Sequence, residues 1–218
     1  MALKSEDQYL GDFLKWEADG RYSRDQVTVL SGQNLKAGAV VGKVTLGAAT
    51  PAAVAGNTGN GTIGAVTVAA GAKASVYRLN CFAVEVNAGK FTVEDPAGVL
   101  VGVATVAVAF SGGGLGFTIA DGAADFVAGD GFTITVAAGS AKVKSSADTA
   151  ADGSDAAVGV LVAAVDASAA DKPGVIVARL AAISPHGLTY DASVNDATKK
   201  AAKHAQLAAA GILVREGA

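Results

Sequence analysis

The sequence is poor in the residues that carry chemistry. Its 218 residues include one Cys, one Met, one Trp and two His. A lone Cys81 excludes an intramolecular disulfide and a multi-cysteine zinc site. His186 and His204 leave little for metal binding or general-base catalysis. Basic charge is also short: 17 Lys and Arg stand against 20 Asp and Glu, a net charge of −3. That balance excludes the basic stripe of a nucleic-acid binder. The opening residues 1–16 hold no apolar core of a secretory signal, so none is expected. One long stretch, 96–120, has no charged residue. Its Val99, Val101, Val103, Val106, Val108 and Phe110 recur largely at period two, broken by Gly102 and ended by Ser111-Gly112-Gly113-Gly114. This reads as a buried strand and turn within a soluble body, and not as a membrane helix.

What is present is small. Apolar residues make up 51% of the chain, many of them Ala, beside 28 Gly and only 6% aromatics. A core of Val, Ala and Gly requires close backbone approach and many turns, which favours β-structure. Residues 1–25 differ. Tyr9, Phe13, Trp16 and Tyr22 lie there among eight charges from Glu6 to Arg24. Leu10, Phe13 and Leu14 give at most a turn or two of amphipathic helix, too short to stand alone. The segment therefore reads as an arm that orders against something else.

From Val27 short strands alternate with Gly-rich turns. Residues 48–61 read as a loop by composition. Candidate strands follow at 65–68, 75–79, 83–87, 90–93, 99–110, 116–119 and 131–136, a spacing that predicts an antiparallel sandwich or barrel. Strands at 158–165 and 174–182 precede the only long helix. Asn195 or Asp196 caps that helix, Ala201, His204, Leu207 and Ala208 mark its inner face, and Gly211 ends it. Ile212-Leu213-Val214 closes the chain as a strand.

No catalytic pattern emerges. The stretch from Gly38 to Val44 is one residue too short for a phosphate loop, and Val44 stands where Ser or Thr would hold magnesium. Asp148, Asp152 and Asp155 miss the calcium-loop register. Asp121, Asp125 and Asp130 sit in turns, where Asp serves the backbone. Cys81 reads as a small buried hydrophobe, and the aromatics from Tyr77 to Phe132 as mostly core. Neither His has a recognisable nucleophile partner. The chain reads as no enzyme, with no cofactor, no metal, no nucleic acid and no membrane partner.

Three phrases resemble the head decoration family of tailed phages, typified by lambda head protein D. They are Ser31-Gly32-Gln33-Asn34-Leu35-Lys36-Ala37-Gly38, the stretch from Ala151 through Asp152-Gly153-Ser154 to Leu161, and Asn195-Asp196-Ala197-Thr198-Lys199-Lys200 leading to Ala210-Gly211-Ile212-Leu213-Val214. The resemblance implies a mainly β (α+β) fold, a β-tulip-like core with one C-terminal helix, here joined by an inserted antiparallel β sandwich or barrel. The division expected is an N-terminal capsid-binding arm at 1–25, core segments at 26–56 and 141–218, and an inserted β-domain at 57–140. Phe91-Thr92-Val93-Glu94-Asp95-Pro96-Ala97-Gly98 in that insertion, and the start from Tyr9 to Glu17, resemble longer members. Also implied are a homotrimer on the outer surface of the expanded head, made in the bacterial host cytoplasm, and contact of the arm with the major capsid protein. Tyr9, Leu10, Phe13, Leu14 and Trp16 are the candidate anchors. The rival reading is a tail, fibre or surface β-module that binds a glycan.

Overall fold

The computed structural model describes residues 8–216. They form two compact units: residues 8–44 with 141–216, and Thr45–Ser140.

The first unit is built on a closed five-stranded barrel in the order Val143–Ser145, Arg24–Val29, Lys172–Val177, Ala157–Leu161, Val40–Lys43. Its apolar runs are continuous because successive residues serve two cores. Val41, Leu161 and Ile176 pack with Val29, Leu35 and Val143. Their neighbours Val40, Val160 and Val177 point the other way and meet Phe13, Ile183, Leu207 and Ile212. Opposite faces of a strand are both buried only where a second layer covers the first, so adjacent apolar residues replace the usual alternation. That second layer is a three-stranded sheet, Leu14–Glu17, Ala181–Ile183 and Ile212–Val214, with the helix Ala197–Ala209.

The Asp196 carboxylate caps this helix by accepting from Lys199 N–H at 2.8 Å. Its buried stripe is Lys203 and Leu207, whereas Ala201 and Ala208 face outward. The expected inner face is thus rotated. Lys203 lies inward because its stem packs while its ammonium donates to the Asp155 carbonyl.

The second unit is an antiparallel sandwich. One sheet runs Leu100–Thr105, Lys90–Glu94, Ser75–Ala83, Gly131–Ala138, Leu46–Ala53; the other joins Ala109–Gly112, Leu115–Ala120 and Thr62–Ile63, with Thr67–Val68 also on Leu115–Ala120. Between them Phe91, Phe126 and Phe132 meet at centroid distances of 5.0–5.7 Å. Tyr77 is fully buried, and its hydroxyl donates to Gly113 O and accepts from Lys73 N–H. Cys81 is buried as expected.

Several local expectations need correction. The strand expected at 83–87 is turn beyond Ala83, which ends Ser75–Ala83. Residues 48–53 of the expected loop 48–61 belong to the strand Leu46–Ala53, because their backbone pairs with 131–138 despite a sequence rich in Ala with Pro51. The run 99–110 is two strands, broken where Ala107 takes a φ of +62°. Phe82 is half exposed on the outer sheet face, out of step with the buried Tyr77, Leu79 and Cys81. Among the described residues no helix is long and apolar enough to cross a membrane.

Candidate functional site

The aromatic N-terminal segment is part of the first unit's body. Tyr9 is extended, and its N–H donates to Asp12 Oδ2 at 2.8 Å while Asp12 N–H donates back to Tyr9 O. That closes the single helical turn Leu10–Phe13. The turn drives Phe13 into the core, where it is 0% exposed. A Cβ on Gly187 would lie 2.5 Å from the Phe13 Cβ, so only glycine permits this approach. Ser184 N–H donates to Phe13 O at 2.7 Å and locks the corner.

The chain then continues as the edge strand Leu14–Glu17, antiparallel to Ala181–Ile183, with an irregularity between Leu14 and Trp16. Leu10 and Leu14 are half-buried against the same core. Tyr9 and Trp16 are about 60% exposed, as is Tyr22. The five anchors therefore split. The Phe13 ring is spent on the protein's own core and presents no surface to a partner in this structure. The expectation of an arm lacking a core fails for the same reason.

Polar contacts hold residues 17–25 in place. Glu17 takes a two-pronged contact from Arg24 and accepts from the buried Ser23 hydroxyl at 2.9 Å. The Arg24 hydrogen bonds hold the Glu17 carboxyl below its usual range against the opposing effect of burial. Arg179 pairs with Asp25, donates to Tyr22 O, and sits 6.0 Å from the Tyr22 ring centroid. Tyr22, outside the expected anchors, is thereby held as a third exposed aromatic of this segment. Its place in the same charged, aromatic stretch is the sequence signal that points to it.

Both histidines line one shallow pocket of about 370 Å³ with Tyr190, Lys200 and Glu216. Tyr190 Oη and His204 Nε2 lie 2.6 Å apart. Burial pushes the Tyr190 hydroxyl up to about 12. Burial first, then Lys200, pushes the His204 imidazole down. Both shifts favour neutral groups, which suits the hydrogen bond between them. No group of three His, Cys, Asp or Glu that could hold a metal occurs among the described residues.

Two of the phrases singled out in the sequence contain turns at tight backbone crossings. Gly32 and Gly38 have φ of +85° and +78°, and a Cβ on Gly38 would lie 2.1 Å from Gly187 O. Asp152 Oδ1 accepts from both Ser154 N–H and Oγ–H around Gly153, itself at +85°. The turn presses the Ser154 carbonyl against Gly42, where a Cβ would sit 1.9 Å away. A family model for the bacteriophage lambda head decoration protein D matches residues 3–212. The chain belongs to this family.

Head decoration proteins are structural components of the phage capsid surface, not enzymes. The phrases described above lie in the unit that holds the barrel and its covering layer. No curated protein matches this chain in sequence. Among solved structures, FlgL of Xanthomonas campestris is 20% identical over 49% of this chain with a TM-score of 0.33. The flagellar hook junction protein FlgK of Burkholderia pseudomallei is 24% identical over 60%, with a TM-score of 0.34. The chain covers 33% of FlgL and 23% of FlgK. Likeness at that level carries nothing about this protein's fold or role.

Proposed function

We propose that this protein cements the phage head, binding its outer surface as homotrimers and stiffening it against the pressure of packaged DNA. The Tyr9–Trp16 segment contacts the major capsid protein. The observation that carries this reading is the exposed pair Tyr9 and Trp16 beside the outer edge of the strand Leu14–Glu17. Among the described residues that strand pairs only with Ala181–Ile183. Its outer edge is a template for an extended capsid segment, with side-chain anchors supplying selectivity.

The energetics favour such a surface. Ordering a free arm would cost about 1–2 kcal/mol per residue in backbone entropy. Here the turn and strand of residues 10–17 are already formed, so folding and not binding bears that cost. Burying an exposed aromatic contributes about 1.5–3 kcal/mol. Three such surfaces in a trimer act at high effective concentration once one is bound.

Trp16→Ala is expected to leave folding within about 0.5 kcal/mol of wild type while lowering shell occupancy in a reconstitution with expanded heads. Normal occupancy with normal folding removes Trp16 from the contact.

A further inference from the structure

The two sheets of the Thr45–Ser140 unit end, on the hairpin side, in strands with no outer partner: Leu100–Thr105 and Ala109–Gly112. A cleft of about 360 Å³ lies between them, lined by residues 101–105 and 108–111. Phe110 packs beside Gly102 and Gly112, where a Cβ would come within 2.8 Å of its ring. Around the cleft Val99, Leu100, Val103 and Val108 stay 47–57% exposed.

Proteins normally blunt such edges with charge, proline or shortness. Within this unit the other described edges follow that rule. Leu46–Ala53 carries Pro51, and Thr62–Ile63 and Thr67–Val68 are two residues long. Leu100–Thr105 has only an irregularity at Leu100/Gly102 and no charge or proline.

We propose that this seam is a self-association surface, pairing with the same seam of a second copy across a two-fold axis. Charge argues for that occupant. Residues 96–120 carry no charge, and the charges nearest the seam are matched within the unit. Lys73 pairs with Asp95, Lys90 with Glu85, and Arg78 stands opposite Glu94. A second seam thus meets no like charge and offers the same uncharged, extended backbone. Val103 faces outward and Ala104 faces the core. The register taken is the antiparallel one centred on Val103, which keeps both faces in place and sets Val103 against its own copy.

A two-fold contact cannot lie inside a three-fold trimer. Resting on the trimeric decoration reading above, the seam joins neighbouring trimers. It offers one six-residue and one four-residue strand, well short of the ~20–30 residues a side of a stable interface. The contact is therefore weak in dilute solution and depends on the concentration a shell imposes.

Val103→Cys tests it. Cys81 is buried, so the new thiol is the exposed one. Decorated particles carrying V103C, oxidised with copper–phenanthroline, are expected to yield disulfide dimers on a non-reducing gel. Thr50→Cys, exposed on the far edge strand, is expected to yield none. Dilute free V103C should dimerise at least tenfold more slowly. Monomeric V103C on fully occupied shells overturns the contact, as do equal dimers from T50C. Occupancy is read on the same particles. Should the chain fail to occupy shells, the decoration reading falls, and oxidation of concentrated free V103C still decides the two-fold contact.

Discussion

Phe13→Ala is expected to destabilise the first unit by about 3–5 kcal/mol, the range for removing a fully buried phenylalanine. Phe13 is the one large aromatic of the N-terminal segment with no exposed surface, and it sits among Ile183, Leu188, Leu207 and Ile212. Its loss leaves a cavity beside Gly187, while the backbone bond from Ser184 N–H to the residue 13 carbonyl is kept. Urea unfolding followed by circular dichroism measures the change. Set beside Trp16→Ala, the variant separates two roles in neighbouring residues, since one loses stability and the other loses only shell binding. A Phe13→Ala protein as stable as wild type would mean that the segment does not pack as described, and would return Phe13 to the set of candidate anchors.

Asp130→Ala is expected to open the second unit. The Asp130 side chain is almost wholly buried, and its carboxylate accepts from the backbone N–H groups of Thr58, Gly59 and Val127 at 2.8–3.0 Å. One side chain thereby ties the 57–61 turn to the 127–130 turn. Alanine leaves three donors without a partner, and the cost after partial hydration is about 2–4 kcal/mol. Cys81, buried in the same unit, supplies the readout, because its thiol reacts only when the sandwich opens locally. Its labelling rate should rise about a hundredfold, the equivalent of ~2.8 kcal/mol. An unchanged rate would show that the turns hold without the carboxylate.

The same carboxylate sets an acid limit. Burial pushes the Asp130 carboxyl up, but the three N–H donors outweigh it and hold it below the usual range. A depressed folded value contributes stability above the unfolded value of about 3.9, and that stability is lost as pH falls through the folded value. Acid sensitivity below about pH 4 should therefore weaken in Asp130→Ala relative to its own neutral-pH baseline.

Much of this architecture is legible in the sequence, and the failures share a cause. Strands at 75–79 and 131–136 announce themselves by alternation, and the last helix by Asp196 and Gly211, whereas the strand expected at 83–87 is turn beyond Ala83. Residues 46–53 do not, because their Ala, Gly and Pro have little preference for strand and form one only through register with 131–138. The break at Ala107 is hidden in a valine-rich run, since nothing in Val106-Ala107-Val108 marks a positive φ. The helix face is misread from sequence because Lys203 looks polar, and only a distant carbonyl, that of Asp155, explains its burial. Likewise the aromatics of the N-terminal segment stand out by composition. Their division into a buried Phe13 and exposed Tyr9 and Trp16 depends on Gly187, some 170 residues away in sequence. What long-range partners decide, local pattern cannot disclose.

The central claim, that this chain cements the phage shell, is tested most directly by its copy number relative to the major capsid protein in purified particles. One trimer at every three-fold and local three-fold position gives about one copy per capsid subunit. Quantitative mass spectrometry should return a ratio close to that value. A handful of copies per particle would make it a tail or fibre part, and absence from the particle would contradict the account.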